Sequence, residues 1–212
     1  EVLQATNQIN SIFSKTETIK NQQIEMVRNQ LMGYEGSISC IYFQSLNLFL
    51  PTEFKFERRS RRPAMDYFNA SLNYLYGMTY SVVESGIFAK GLDPMVGLLH
   101  VDNYKNLTLA FDLIELIRPI IDRILIELIL ENRLLPEYFI QKEQGYWVGK
   151  KGKRIIISSF NDFLQTKIDI QRSTRRLKDH IYMELSLIHI IRCLRSSTFH
   201  FTFTLYQYKI QN

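Results

Sequence analysis

Along most of this chain the apolar residues recur at helical spacing, and only near its end do they alternate. Within residues 1–32 the apolar positions are Ile9, Ile12, Phe13, Ile19, Ile24, Met26, Val27 and Leu31, set among polar residues. That spacing predicts one or two amphipathic helices with a break near 14–18. A denser apolar run from Ile38 to Leu50 predicts a helix that ends before Pro51. Asp66 to Lys90 reads as one long helix, with core positions Phe68, Leu72, Leu75, Tyr76, Val82, Val83 and Ile87 and a stop at Gly91. Between Leu107 and Arg118 the aliphatic residues point in nearly every direction, which predicts a central, buried helix. Pro119 suits the first turn of a further helix through Asn132.

Residues 133–145 read as a connector with Pro136. Tyr146–Val148 and Arg154–Ile157 flank Gly149-Lys150-Lys151-Gly152-Lys153, a pattern that predicts a hairpin with a basic tip. Ser159 and Asp162 suit the cap of a helix reaching Ile168, and Arg172 to Arg195 reads as a last helix. Residues 198–205 alternate with period two, as a strand does. The expected class is mainly α: a multi-helix domain over 1–195 with a small β-hairpin near 146–157, then a strand-like tail over 196–212.

Composition narrows the setting. With 212 residues and 46% hydrophobic content, one sizeable core is affordable. The net charge is only +5, but Arg58, Arg59, Arg61 and Arg62 crowd into five positions, which suits a polyanionic partner. Cys40 and Cys193 form no motif and are expected as free core thiols in a reducing compartment, the cytoplasm. No secretory leader is read at the start, and no uncharged run approaches the ~20 residues of a membrane span. A chain beginning at Glu1 rather than Met reads as a fragment or a processed product.

The candidate chemistry lies between Gly91 and Asp122. His100 is followed by Asp112 and Glu115, and these two acids share a helical face at i, i+3. Acids facing a core must be paired, protonated or bound to a cation, and a histidine from the preceding loop would complete a metal site. The structural alternative is an Asp112–Arg118 ion pair and a satisfied core histidine. Glu35 opens the helix that follows Gly36, where an acid ordinarily complements the helix dipole. The arginines at 58–62 read either as a solvated run or as a phosphate clamp. Phe54 and Phe56 would either pin that loop or stack on a splayed base. Tyr74, Tyr76 and Tyr80 read as core aromatics at a polar edge, with one of them reaching DNA as the lesser alternative, and Lys150, Lys151, Lys153 and Arg154 as an exposed turn or, second, a DNA contact. His180 and His189 have no acid or cysteine at ligand spacing and read as structural.

Taken together, the motifs resemble the universal CRISPR adaptation integrase, a metal-dependent nuclease family that inserts new spacers into CRISPR arrays. Its GLDPxxGxLH element is matched by Gly91-Leu92-Asp93-Pro94, Gly97 and Leu99-His100, and its SLxxDLxExxRPxxD element by Leu109, Asp112-Leu113, Glu115, Arg118-Pro119 and Asp122. MGxEGxxxxxYF is matched by Met32-Gly33, Glu35-Gly36 and Tyr42-Phe43. The Arg-rich xRxRRPxxDxxNAxLNYxY element is matched by Arg62-Pro63, Asp66, Asn69-Ala70, Leu72-Asn73-Tyr74 and Tyr76.

The resemblance covers about residues 30–170. It implies Glu35, His100 and Glu115 as ligands of Mn²⁺ or Mg²⁺, with Asp112 beside them, and it makes Glu35 rather than Glu84 the favoured upstream ligand. It implies DNA with 3′ ends as substrate, held by Arg58, Arg59, Arg61 and Arg62. It also implies a small ferredoxin-like CRISPR adaptation partner. The family carries an N-terminal β-sheet domain that builds its homodimer. That domain is not expected here, since residues 1–32 read as helical, and dimerisation is left open. Two other readings fit the same residues: a non-catalytic helical DNA-binding or assembly module, and a transposon-borne integrase sharing this domain.

Overall fold

The computed structural model describes residues 1–19, 22, 24–97, 107–170, 173–183 and 185. Helix α1 spans Val2–Glu17 and α2 spans Ile24–Asn47. Helix α1 thus ends at Glu17, at the expected place for the break. The main difference is α2, which begins fourteen positions before Ile38 and runs through Gly33 and Gly36. Val27, Leu31, Tyr34, Ile38, Tyr42 and Leu46 form a single stripe at three- and four-residue steps, and that face lies against protein on both sides of the glycines. Two helical glycines cost roughly 1 kcal/mol each, less than the burial of such a stripe supplies. Glu35 is therefore mid-helix, not in a first turn where it would complement the dipole.

A loop with a single 3-10 turn, Thr52–Phe54, leads to α3, Tyr67–Ala89. Asp66 caps it through a 2.6 Å bond from the Asn69 N–H, and Gly91 ends it at φ +65°, the left-handed region open to glycine. Helix α4, Thr108–Leu130, lies against α3. Pairings of Tyr76 with Asp122 and Tyr80 with Arg118 show the two helices to be antiparallel. Pro119 sits inside α4 rather than opening a new helix. An internal proline costs roughly 3 kcal/mol. Ile114, Ile117, Ile121, Ile124 and Leu125 are all buried around it, each contributing roughly 1.5–3 kcal/mol, so packing wins. Phe68, Leu72, Leu75, Val83 and Ile87 face them from α3 with no exposure. Among the described residues no helix is long and apolar enough to cross a membrane.

Beyond α4 the sequence pattern misleads. The hairpin is β1 (Phe139–Lys142) with β2 (Gly145–Val148), in antiparallel register from Phe139 opposite Val148 to Lys142 opposite Gly145. Lys150–Gln165 is helix α5, so the expected basic tip is a first helical turn and Arg154–Ile157 is helix, not strand. Gly149 and Gly152 serve close packing, not a turn: a Cβ on Gly149 would lie 2.6 Å from the Tyr138 carbonyl, and one on Gly152 2.9 Å from Val148 Cγ1. Gly149, not Ser159, caps α5. Ser159 is buried within α5, and its Oγ accepts from Arg133 Nη2 at 2.9 Å. A second hairpin, β3 (Lys167–Ile170) with β4 (Ser173–Arg176), occupies the start of the expected last helix. Helical structure resumes over 177–183. Cys40 is exposed rather than a core thiol. His100, His189, Cys193 and the strand-like 198–205 lie outside the described residues.

Candidate metal centre and nucleic-acid interface

The Gly-Leu-Asp-Pro segment works as a clip between α3 and α4. The Leu92 N–H returns to the Ile87 carbonyl at 3.1 Å, and Asp93 Oδ1 accepts from the Met95 N–H at 2.9 Å. Pro94 and Met95 then offer their carbonyls to the start of α4, receiving the Leu109 N–H at 3.0 Å and Thr108 Oγ1 at 2.5 Å. The clip fixes where α4 begins, and so where its acids stand.

Asp112 and Glu115 follow one turn apart on α4. Asp112 is only 9% exposed. Glu115 is ion-paired with Arg118, whose side chain is equally half-buried. Arg118, the partner that the structural alternative gives to Asp112, is ion-paired with Glu115. Arg118 also donates to Tyr80 Oη at 3.3 Å and lies 5.1 Å from the centre of the Tyr76 ring. Burial works against its charge, but Glu115, Tyr76 and Tyr80 outweigh burial and hold the guanidinium above its ordinary value. Glu35 stands midway along α2 and is half-buried. The donors fit a hard divalent cation in kind: two carboxylates on one helix face in an apolar setting. Among the described residues, no three side chains of ligand type come together, and the position of His100 lies outside them.

Further along the helix that carries the acids is a polar network that the sequence reading did not single out. Tyr76 donates to Asp122 Oδ1 at 2.6 Å, and Asp122 is 1% exposed. Tyr42 on α2 turns its hydroxyl to the same carboxylate. Burial and the Asp122 charge push both phenols well above the ordinary tyrosine range. One carboxylate thereby ties α2, α3 and α4 together. The available signal was the i, i+3, i+7 spacing of Glu115, Arg118 and Asp122, which lines all three on one face.

The arginine loop divides. Arg59 is half-buried and gives Nη1 to Asn69 Oδ1 and Nη2 to Asn73 Oδ1, each at 2.6 Å. Its guanidinium carbon lies 5.6 Å from the Tyr76 ring centre and 6.0 Å from that of Phe43. Burial lowers its pKa from the usual arginine value. Arg59 thus clasps its own loop to α3. Arg58, Arg61 and Arg62 are exposed. Phe54 and Phe56 are buried, and Phe56 stacks on Phe68 at 4.6 Å, so both pin the loop and neither offers a face to a base. His180 is buried with Nε2 3.0 Å from the Ile168 carbonyl, as a structural histidine.

The family described as "CRISPR associated protein Cas1" matches residues 1–162. A "CRISPR-associated endonuclease Cas1 2" of Thermodesulfovibrio yellowstonii is 30% identical over 186 residues, covering 86% of this chain and 56% of that protein. A "CRISPR-associated endonuclease Cas1 1" of Archaeoglobus fulgidus is 29% identical over 195 residues, covering 89% and 55%. This chain spans about half the length of these relatives. In fold it is similar to a casposase bound to integration product, with a TM-score of 0.75 and 24% identity over 93% of this chain and 59% of that one. It is also similar to a Cas1 protein from Thermotoga maritima, with a TM-score of 0.73 and 22% identity over 88% and 62%. By the family match over most of its length, the chain belongs to the CRISPR-associated Cas1 family.

Proposed function

We propose that this chain is the helical catalytic part of a metal-dependent DNA endonuclease and strand-transferase that inserts spacer DNA into CRISPR arrays. The observation that carries this reading is the pair Asp112 and Glu115 on one face of the buried α4, in a chain that matches Cas1 endonucleases. Glu35, His100 and Glu115 would hold Mn²⁺ or Mg²⁺, with Asp112 as a further ligand or an orienting neighbour. The bound ion would polarise the phosphodiester and stabilise the leaving 3′-oxygen. Arg58, Arg61 and Arg62 would hold the DNA backbone, while Arg59 fixes the loop that presents them. The Asp122 network keeps α2 in register with α4, and thereby sets Glu35 relative to Glu115. A DNA 3′-hydroxyl as nucleophile gives strand transfer; water gives hydrolysis.

Solved structures of similar fold include a Cas6-RT-Cas1–Cas2 complex. By analogy, this chain would work with DNA and with a small ferredoxin-like adaptation partner. The casposase likeness keeps a transposon-borne integrase as the second reading; a repeat array beside the coding sequence would decide for the CRISPR role. Branched DNA with Mn²⁺ tests the chemistry. His100→Ala should abolish cleavage and strand transfer while DNA binding persists. Equal loss of both would contradict the separation of roles.

A further inference from the structure

Asp112, Glu115 and Arg118 follow at three-residue steps along α4, so the guanidinium stands on the same stripe of the helix as the two acids. Arg118 Nη1 is ion-paired with Glu115 Oε1, and the two side chains are 17% and 19% exposed. Little water is left to either charge. A carboxylate in such a place needs a counter-ion at all times. Here the counter-ion is a residue of the same helix.

The other contacts of the guanidinium are weak and neutral. Nη2 reaches Tyr80 Oη at 3.3 Å, a long hydrogen bond. The guanidinium carbon lies 5.1 Å from the Tyr76 ring centre. Nε is buried and has no hydrogen-bond partner among the described residues. Among those residues its one ion pair is the one with Glu115. The two tyrosines are themselves fixed: Tyr80 meets Phe111 edge-on, with ring centres 5.6 Å apart, and Tyr76 is bonded to Asp122. A planar, weakly hydrated guanidinium is stable on such a ring. Arg118 thus has one strong partner that it can lose and an aromatic seat that it can keep.

We propose that Arg118 is a built-in counter-ion of the metal centre. It holds Glu115 until a divalent cation arrives, then gives up the carboxylate and stays on the Tyr76–Tyr80 seat, and so it sets how tightly the site holds its ion. The proposal rests on the reading of Glu115 as a metal ligand. Two cations on one carboxylate repel each other where water is scarce, so the incoming ion has to outcompete the guanidinium. Arginine suits this task because it keeps its charge at every working pH. A side chain that merely oriented Glu115 would act with the opposite sign: losing an orienting partner weakens metal binding, by roughly 10–100-fold.

Mn²⁺ affinity, measured by calorimetry on the full chain, Arg118→Gln and Arg118→Lys, separates the two roles by direction. Glu115→Ala is the control for the site, and circular dichroism monitors the fold. Arg118→Gln should bind Mn²⁺ roughly tenfold tighter than the parent, or more. Without the ion it should be less stable to urea than the parent, since Glu115 has lost its counter-ion, and saturating Mn²⁺ should stabilise it more than it stabilises the parent. Arg118→Lys keeps the charge and should bind close to the parent's affinity. If Arg118→Gln unfolds without the ion, Mn²⁺ should refold it, and failure to refold would overturn the proposal. Weaker or unchanged binding by folded Arg118→Gln, with the parent binding through Glu115, would overturn the counter-ion role and leave the metal reading intact. Binding that survives in Glu115→Ala, or no binding by the parent, would overturn both.

Discussion

Arginine serves opposite purposes in two neighbouring regions of this protein. In the buried network, Arg59 and Arg118 are half-covered, face Tyr76, and give their N–H groups to Asn69, Asn73 and Glu115. On the rim, Arg58, Arg61 and Arg62 are exposed, and Arg61 and Arg62 line a cavity without carboxylates. The same guanidinium is a structural clasp where acceptors surround it and, on the proposed reading, a phosphate contact where no carboxylate lines the space. Composition cannot separate the two; only the groups that face each side chain can.

The largest expected effect is at the centre of the clasp. Asp122→Ala leaves the buried Tyr42 and Tyr76 hydroxyls without their common acceptor and removes the negative charge that Arg59 senses. It should cost roughly 3–5 kcal/mol of stability, read by urea unfolding. A loss under 1 kcal/mol would remove the network as the link between α2, α3 and α4. Next comes Arg59→Ala, which strands the Asn69 and Asn73 acceptors and should cost roughly 1.5–3 kcal/mol. Arg58→Ala, Arg61→Ala and Arg62→Ala should leave stability unchanged. Each should instead lower the slope of log K against log salt for DNA by about 1. An Arg59 variant that behaved like its rim neighbours would erase the distinction.

A smaller effect follows from the phenols. Tyr42 and Tyr76 titrate above their ordinary value of about 10 because the folded state disfavours their charge. Their contribution is fully present below pH 10 and is lost as pH rises beyond it, since the unfolded chain releases these protons first. Stability should therefore fall above pH 10, and Tyr76→Phe should flatten that fall. An unchanged alkaline profile in the variant would show that the Tyr76 phenol does not sense Asp122.

Much of the fold could be read from the chain. Helix α3 was legible at both ends because Asp66 and Gly91 do locally what a cap and a stop require. Helix α4 was legible as central and buried, but its continuity through Pro119 was not, since long-range packing decides it. The hairpin was misplaced because Gly149 and Gly152 look like turn residues while serving contact with Tyr138 and Val148. The true turn signal was Gly145, at φ +146°. Of the candidate site, Asp112 and Glu115 were legible from spacing and Glu35 only from the family's motif. Arg59 was grouped with its neighbours because nothing local distinguishes it. The telling feature was Asn69 and Asn73, two amides four residues apart on a helix face turned to the loop.

The proposed chemistry turns on the carboxylates of α4 holding a divalent cation, and calorimetry with Mn²⁺ tests this most directly. The chain should bind the ion saturably. Glu115→Ala should lose that binding while keeping its helical circular-dichroism signal. Undiminished binding in the folded variant would contradict the assignment and place the cation, if any, away from Asp112 and Glu115.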